Sequence, residues 1–313
     1  MNDRTRLFDL TDQPPVIQLF TSVLIVILPG TLLFYLFVYA GSLIFETNMS
    51  EMLSIPAVSA GLREGSILKY IQVSQQIALF IMPSIAIALM LRKGNESFLR
   101  IDRLPGSIPV FLVIMLALLI LPVTSYIGIL NSRMNLPDWL SGVEDWMKVK
   151  ENNASDLTGL LIKSSGIGDL MINIFILAVL PSIAEEMIFR GILQQILCRV
   201  FRSGHAGIWI TAVFFSAVHL QFFGFFPRLI LGLSFGYLFF WTGNLWIAVI
   251  AHFINNVVPM LMSHFIRWND LGEKASDLAD KQILLPLVPA LLSAGILFNF
   301  WSEYRKNQTK IIY

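Results

Sequence analysis

Residues 170–197 read LMINIFILAVLPSIAEEMIFRGILQQIL. At a rise of ~1.5 Å per residue, an α-helix of this length exceeds the ~30 Å thickness of the hydrocarbon core of a bilayer. Only Glu185, Glu186 and Arg190 carry charge within it. The stretch therefore predicts a transmembrane helix that takes three ionisable side chains into the apolar layer.

The rest of the chain repeats this pattern of long apolar runs. Hydrophobic residues make up 56% of the sequence and charged residues 14%, against ~25% charged in soluble domains. Unbroken apolar runs favour helices over barrel strands, in which polar and apolar residues alternate. We therefore predict an all-α integral membrane protein, with residues 1–313 forming a single membrane domain and the active site inside the membrane. The predicted bundle has about eight transmembrane helices, at 16–45, 67–91, 108–130, 170–197, 206–222, 227–242, 245–263 and 283–302.

The segments between the runs indicate the orientation. Residues 131–169 form a long polar connection, which we expect to be an extramembrane loop. Eight spans place both termini on one side, and Lys and Arg are denser in the segments on that side, which predicts cytoplasmic termini. A compact chain without an appended domain is typical of the prokaryotic plasma membrane.

Charge and cysteine content exclude several functions. The net charge of +1 offers no electrostatic basis for binding nucleic acid. Cys198 is the single cysteine, so the chain has no internal disulfide and no multi-thiolate metal site. The expected partners are the lipid bilayer and a membrane-associated peptide or protein substrate.

Polar residues also recur in two later apolar runs. His219 lies towards the end of 206–222, and His252 and Asn256 lie within 245–263. An ionisable group at the centre of a membrane costs ~2.5–3.5 kcal/mol on insertion scales. We therefore expect these side chains and those of residues 185–190 to face one another or a water-filled cavity.

The spacing within residues 185–190 separates the roles of the two glutamates. Glu186 and Arg190 are four positions apart and share a helix face, which predicts a structural ion pair. Glu185 is turned by ~100° from Glu186 and is left as the free carboxylate. His252 and Asn256 are likewise spaced to project together.

Two kinds of chemistry fit this set of residues. A desolvated Glu185, with His219, could take a proton from a water that attacks a peptide carbonyl, while His252 and Asn256 donate hydrogen bonds to the oxyanion. Alternatively, Glu185, His219 and His252 could bind one divalent metal ion, with zinc activating the water. The spacing leaves both open, and the absence of the H-E-x-x-H zinc motif favours the metal-free form.

The residues in 170–263 resemble the CAAX protease and bacteriocin-processing (Abi) family of membrane peptidases, which includes the eukaryotic type II CAAX prenyl endopeptidases. The family pattern is Glu-Glu-x-x-x-Arg, Phe-x-x-x-His and His-x-x-x-Asn/Asp. It stands here, in order, as Glu185-Glu186…Arg190, Phe215…His219 and His252…Asn256.

This resemblance implies an intramembrane endopeptidase whose site, within a catalytic core at 170–263, opens to the cytoplasmic side. It implies Glu185 and His219 as water activators, and His252 and Asn256 as oxyanion or site-shaping residues. Members of the family have been described both as metallopeptidases and as glutamate-type peptidases, so the resemblance leaves the metal question open.

Two other functions are compatible with buried Glu and His side chains. In an ion- or proton-coupled transporter they would form the conduction pathway. The sequence lacks the paired broken helices in two similar halves that many such proteins contain. A non-catalytic membrane scaffold or bacteriocin immunity protein would keep the polar network for assembly alone.

Overall fold

The computed structural model describes residues 9–54, 62–92, 94, 96–134, 136–162, 166–265 and 286–311. Every regular element in these ranges is helical, which confirms the all-α prediction. The helices are α1 Pro15–Ile44, α2 Met49–Leu53, α3 Arg63–Met90, α4 Ser107–Ser132, α5 Ser141–Ile162, α6 Ile167–Val200, α7 Gly204–Ala217, α8 Phe225–Thr242, α9 Leu245–Phe265 and α10 Leu287–Ile311.

Six of these helices, namely α1, α3, α4, α6, α8 and α9, are long and apolar enough to cross a membrane. The other two predicted spans correspond to α7, an apolar helix of 14 residues, and to α10. The first three residues of the eighth predicted span, 283–285, lie outside the described residues. The structure thus supports six crossings, and a total of eight stays a prediction.

The predicted connection at 131–169 contains the helix α5. Its sequence is rich in charged residues, and it packs against the first turns of α3 and of α6. Positions 135 and 163–165 lie outside the described residues. Within this connection residues 141–162 form a polar helix, and its position outside the membrane stays a prediction.

The fifth predicted span also ends earlier than the sequence suggested. Helix α7 ends at Ala217 rather than at 222, and the Leu220 backbone N–H then donates to the Ala217 carbonyl at 3.0 Å. Leu220 adopts a left-handed conformation with φ 52°, which turns the chain away from the helix axis. The sequence pattern did not reveal this break, because the aromatic residues that follow it are as apolar as those of a membrane-spanning helix. His219 consequently lies in a turn just beyond α7.

Wide π-helical turns interrupt α1, α3 and α6. Three of them lie beside Pro29, Pro83 and Pro181. Proline removes a backbone donor and its ring clashes with a carbonyl of the preceding turn, so the helix widens there. A fourth wide turn, Met187–Gln194, directly follows Glu186.

Helix α6 lies at the centre of the molecule. It packs against α1, α3, α7, α8 and α9, while α4 packs against α8, α9 and α10. Phe20, Leu28 and Leu32 of α1 point outwards and are exposed, as expected for side chains that contact lipid. The central position of α6 places its charged residues where neighbouring helices can contact them.

The connection between α8 and α9 is a tight turn at Gly243-Asn244. Gly243 has φ 61°, a conformation that costs glycine no steric strain, and ends α8. The Asn244 side chain accepts a hydrogen bond from the Trp246 backbone N–H at 3.0 Å and donates to the Arg103 carbonyl at 2.8 Å. These bonds hold the α3–α4 connection against the start of α9.

Candidate active site

The predicted ion pair between Glu186 and Arg190 is formed. Arg190 Nη1 lies 2.8 Å from Glu186 Oε1, and both side chains are fully buried. The second guanidinium nitrogen, Nη2, donates to the Gly232 carbonyl of α8 at 3.0 Å. The pair therefore links α6 to α8 as well as closing one turn of α6.

His252 of α9 forms a hydrogen bond with the same carboxylate, that of Glu186. Its Nδ1 lies 2.8 Å from Glu186 Oε1, the oxygen that also accepts from Arg190. Its Nε2 lies 3.8 Å from Oε2 of Glu185, beyond hydrogen-bond distance. Because the carboxylate of Glu186 is the acceptor, Nδ1 carries the proton and Nε2 faces Glu185.

Two aromatic rings enclose the charged groups. The Arg190 guanidinium lies 4.5 Å from the centre of the Phe215 ring and 5.5 Å from that of Phe235. The His252 ring stacks on Phe235, with centroids 5.3 Å apart. Guanidinium groups are attracted to the faces of aromatic rings, more strongly when water is excluded. The phenylalanine of the Phe-x-x-x-His motif thus packs on the arginine of the Glu-Glu-x-x-x-Arg motif.

Glu185 is placed differently from its neighbour. Its side chain is 13% exposed, and it lines a cavity of about 620 Å³ together with His219. The cavity lies between α1, α3, α6 and α7, and apart from Ser22 and the glutamines of α3, namely Gln72, Gln75 and Gln76, most of its wall is apolar. Glu185 is therefore the glutamate that can meet a substrate, while Glu186 is fully buried.

His219 has a defined tautomer. Its Nδ1 lies 2.8 Å from the Phe215 carbonyl, which can only accept, so Nδ1 carries the proton. The lone pair is then on Nε2, the nitrogen left to bind a water in the cavity. The bond joins His219, in the turn after α7, to Phe215 in the last turn of that helix.

Asn256 does not take part in the hydrogen bonds that join Glu186, Arg190 and His252. It is half-buried one turn after His252, and its side chain forms no hydrogen bond within the described part of the chain. Its neighbour Asn255 is buried and donates to the Ala251 carbonyl at 3.1 Å. The role of Asn256 as an oxyanion donor stays a prediction.

The metal hypothesis needs Glu185, His219 and His252 to converge on one point. In the ranges that the structure describes, no three His, Cys, Asp or Glu side chains are arranged to hold a metal ion. A histidine can bind zinc through Nε2 while its Nδ1 donates to a carboxylate, as His252 does to Glu186, and His252 Nε2 lies 3.8 Å from Glu185 Oε2. Among the described residues no third ligand is arranged with these two, so the steps below use only the side chains themselves.

Sequence reasoning missed a second link between α6 and α8. Gln194 lies one turn after Arg190, and its Nε2 donates to the Gly236 carbonyl at 3.0 Å, as Arg190 does to Gly232. Both side chains are buried. The sequence offered one indication of this link, because Gln194 is a polar residue inside an apolar run and lies four positions after Arg190.

Comparison with known proteins gives a partial match. Residues 167–258 match the family described as type II CAAX prenyl endopeptidase Rce1-like. The predicted resemblance to the CAAX protease and bacteriocin-processing family is thereby confirmed for this segment, which contains α6, α7, α8 and most of α9.

A curated relative matches over a similar length. The chain is 36% identical over 90 residues to the uncharacterized protein YpbD of Bacillus subtilis (strain 168). This match covers 28% of the chain and 43% of the relative, so it spans less than half of each protein. No solved structure matches the chain.

Proposed function

Because residues 167–258 match the type II CAAX prenyl endopeptidase family, we propose that this protein is an intramembrane endopeptidase. Its substrate is a membrane-associated protein or peptide. The observation that carries the proposal is the pairing of Glu185 and His219 on the wall of one largely apolar cavity, with the Nε2 lone pair of His219 left free.

The reaction begins with a water held between these two side chains. His219 Nε2 accepts a hydrogen bond from the water and orients it, and the Glu185 carboxylate takes one of its protons. The resulting hydroxide attacks the carbonyl carbon of the substrate and forms a tetrahedral oxyanion. Glu185 then returns the proton to the amide nitrogen, the C–N bond breaks, and a carboxylic acid and an amine leave.

The remaining candidate residues have supporting roles: His252, held by Glu186 and Arg190, acts on Glu185, and Asn256 acts on the oxyanion. His252 Nε2 lies 3.8 Å from Glu185 Oε2, so a small movement of the Glu185 side chain lets it accept a hydrogen bond from the carboxyl group once that group is protonated. Glu186 and Arg190 fix the His252 ring. Asn256 supplies an amide N–H to the oxyanion, a type of contact whose removal costs ~10²–10³ in rate in other hydrolases.

The direct test is cleavage of a membrane-tethered peptide library by the purified protein, with Glu185→Gln as the control. Cleavage by the wild type that is absent in a folded Glu185→Gln variant and unaffected by a chelator supports the proposal. Loss of activity with a chelator and recovery with zinc would replace direct water activation by a metal mechanism. A folded wild type that cuts no peptide, while Glu185→Gln alters ion flux or leaves function intact, would favour the transporter or the scaffold.

A further inference from the structure

A second cavity lies at the far end of α6. Its volume is about 560 Å³, and among the described residues it shares no lining side chain with the cavity of Glu185. Its wall comes from Thr11 before α1, from Leu91 and the α3–α4 connection at 96–100, from the ends of α6 and α8, and from Tyr304 of α10. At ~1.5 Å per residue, Cys198 on this wall is roughly 20 Å along α6 from Glu185.

Two arginines line this cavity. Arg100 lies with its guanidinium 5.6 Å from the centre of the Phe239 ring, and Arg199 lies 5.2 Å from that of Phe98. Arg199 Nε donates to the Gln195 carbonyl at 3.3 Å. Neither guanidinium forms an ion pair within the ranges that the structure covers. Their remaining N–H groups can bind an anion.

The charged residues of the lining leave a net positive charge. Glu96 is an exposed carboxylate on the same wall, so two guanidinium groups face one acid. Gln194 is 1% exposed, and its Oε1 has no hydrogen-bond partner in the described part of the chain. A buried acceptor without a partner is costly, and a hydroxyl group would satisfy it. The cavity therefore offers donors for an anion and an acceptor for a hydroxyl.

The aromatic residues around the cavity place it near the membrane–water interface. Trp246 Nε1 donates to the Ile101 carbonyl at 3.1 Å, beside the segment that lines the cavity. Tyr304 lies on the wall, and Trp301 lies one turn before it on the same helix. Trp and Tyr are enriched at the level of lipid headgroups. Basic pockets between membrane helices at this level bind the phosphates of anionic lipids.

We propose that this cavity binds a phosphate group that carries a hydroxyl-bearing substituent, as in the headgroup of phosphatidylglycerol. Arg100 and Arg199 bind the phosphate oxygens, and Gln194 Oε1 accepts a hydrogen bond from the hydroxyl. Arginine presents several N–H groups in one plane, a geometry that suits phosphate oxygens. The proposal is independent of the peptidase chemistry.

The test is a titration of the full-length protein in neutral detergent, with the midpoint of thermal unfolding as the readout. Phosphatidylglycerol is expected to raise the midpoint in a saturable manner, and phosphatidylcholine, which lacks the hydroxyl groups, is not. The Arg100→Gln/Arg199→Gln variant should need at least ~10-fold more phosphatidylglycerol, since a hydrogen bond to a charged group contributes that much to an affinity. A response of this variant equal to that of the wild type would overturn the proposal, as would the absence of saturation.

Two further samples identify the occupant and control for surface charge. If glycerol 3-phosphate saturates with the same dependence on the two arginines, the occupant is a soluble phosphate ester; if it does not, the occupant is the lipid. The Arg103→Gln/Arg202→Gln variant removes the same charge from exposed positions outside the cavity wall and should behave as the wild type. Equal weakening in both double variants would instead indicate diffuse attraction and reject the site.

A conservative variant keeps the test decisive if the glutamine pair does not fold. Arg100→Lys/Arg199→Lys retains both charges and loses the planar arrangement of donors. Its saturation midpoint is expected to rise several-fold, and an unchanged midpoint would contradict the assignment of these side chains as phosphate ligands.

Discussion

At the scale of single residues, two adjacent glutamates have opposite environments. Glu186 is fully buried and receives Arg190 and His252 on one oxygen, whereas Glu185 lines a cavity. A helix turns by ~100° per residue, so neighbours in the sequence face different surroundings. The same substitution at the two positions should therefore have different consequences.

Glu186→Gln is predicted to destabilise the protein strongly. It leaves the fully buried guanidinium of Arg190 without its counter-charge, and breaking one partner of a buried pair costs ~3–5 kcal/mol. The midpoint of thermal unfolding in a fixed detergent measures the effect. Glu185→Gln is the matched control and should shift the midpoint little, because no ion pair with arginine or lysine is lost. Equal shifts in the two variants would contradict the division of roles.

His219 is predicted to act through Nε2 alone. His219→Asn can still donate to the Phe215 carbonyl from its side-chain amide but offers no basic nitrogen to the cavity. We expect cleavage to fall by ~10²-fold or more, the range for loss of an acid–base group, with the fold retained. A rate constant within a few-fold of the wild type, measured on a cleaved peptide, would remove His219 from the reaction.

At the scale of helices, the close contact of α6 and α7 depends on a glycine. A Cβ at Gly207 would lie 2.6 Å from the backbone nitrogen of Cys198 and 2.9 Å from its Cα. These are backbone atoms of the neighbouring helix, so the two helices would have to move apart. Movement of α7 would also displace Phe215 and the turn that holds His219.

Gly207→Ala is accordingly predicted to destabilise the protein by ~1–3 kcal/mol, the usual cost of overpacking, and to reduce cleavage. Gly295→Ala is the matched control within α10, where a Cβ would meet nothing within 4 Å. That variant should unfold at or above the wild-type midpoint, since alanine favours helix over glycine. If both variants unfold at the same temperature, the claim that α6 and α7 pack too closely for a side chain at position 207 is contradicted.

How much of the site could be predicted depends on whether its contacts lie within one helix. The Glu186–Arg190 pair followed from spacing alone, since positions four apart share a face. The bond from His252 to Glu186 could not be foreseen, because it depends on the rotation of α9 against α6. The end of α7 at Ala217 was missed because the aromatic residues after Leu220 continue the apolar pattern.

At the scale of the whole molecule, the ends of the helices define two faces. Gln195, near the end of α6, donates to the Phe98 carbonyl at 2.8 Å, so this end of α6 lies beside the connection that leads into α4. Helix α4 has 26 residues, enough to reach the other side of a bilayer. We therefore predict that the residues after α4 lie on the face opposite to those after α6.

This arrangement predicts opposite accessibility for two exposed positions. In a Cys198→Ala background, cysteine introduced by Arg202→Cys should react with an impermeant thiol reagent only after cells are opened, because Lys and Arg are denser on that side. Cysteine introduced by Asp138→Cys should react in intact cells. Labelling of both positions from one side would contradict the topology, and reversal of the two would contradict only the cytoplasmic assignment.

The most direct measurement compares cleavage rate and unfolding midpoint for wild type and Glu185→Gln in the same lipid. If Glu185 is the group that takes the proton from water, the variant should lose cleavage by ~10²–10⁴-fold while its unfolding free energy stays within ~0.5 kcal/mol. A folded Glu185→Gln variant that cleaves at the wild-type rate would contradict the assignment of this carboxylate to catalysis.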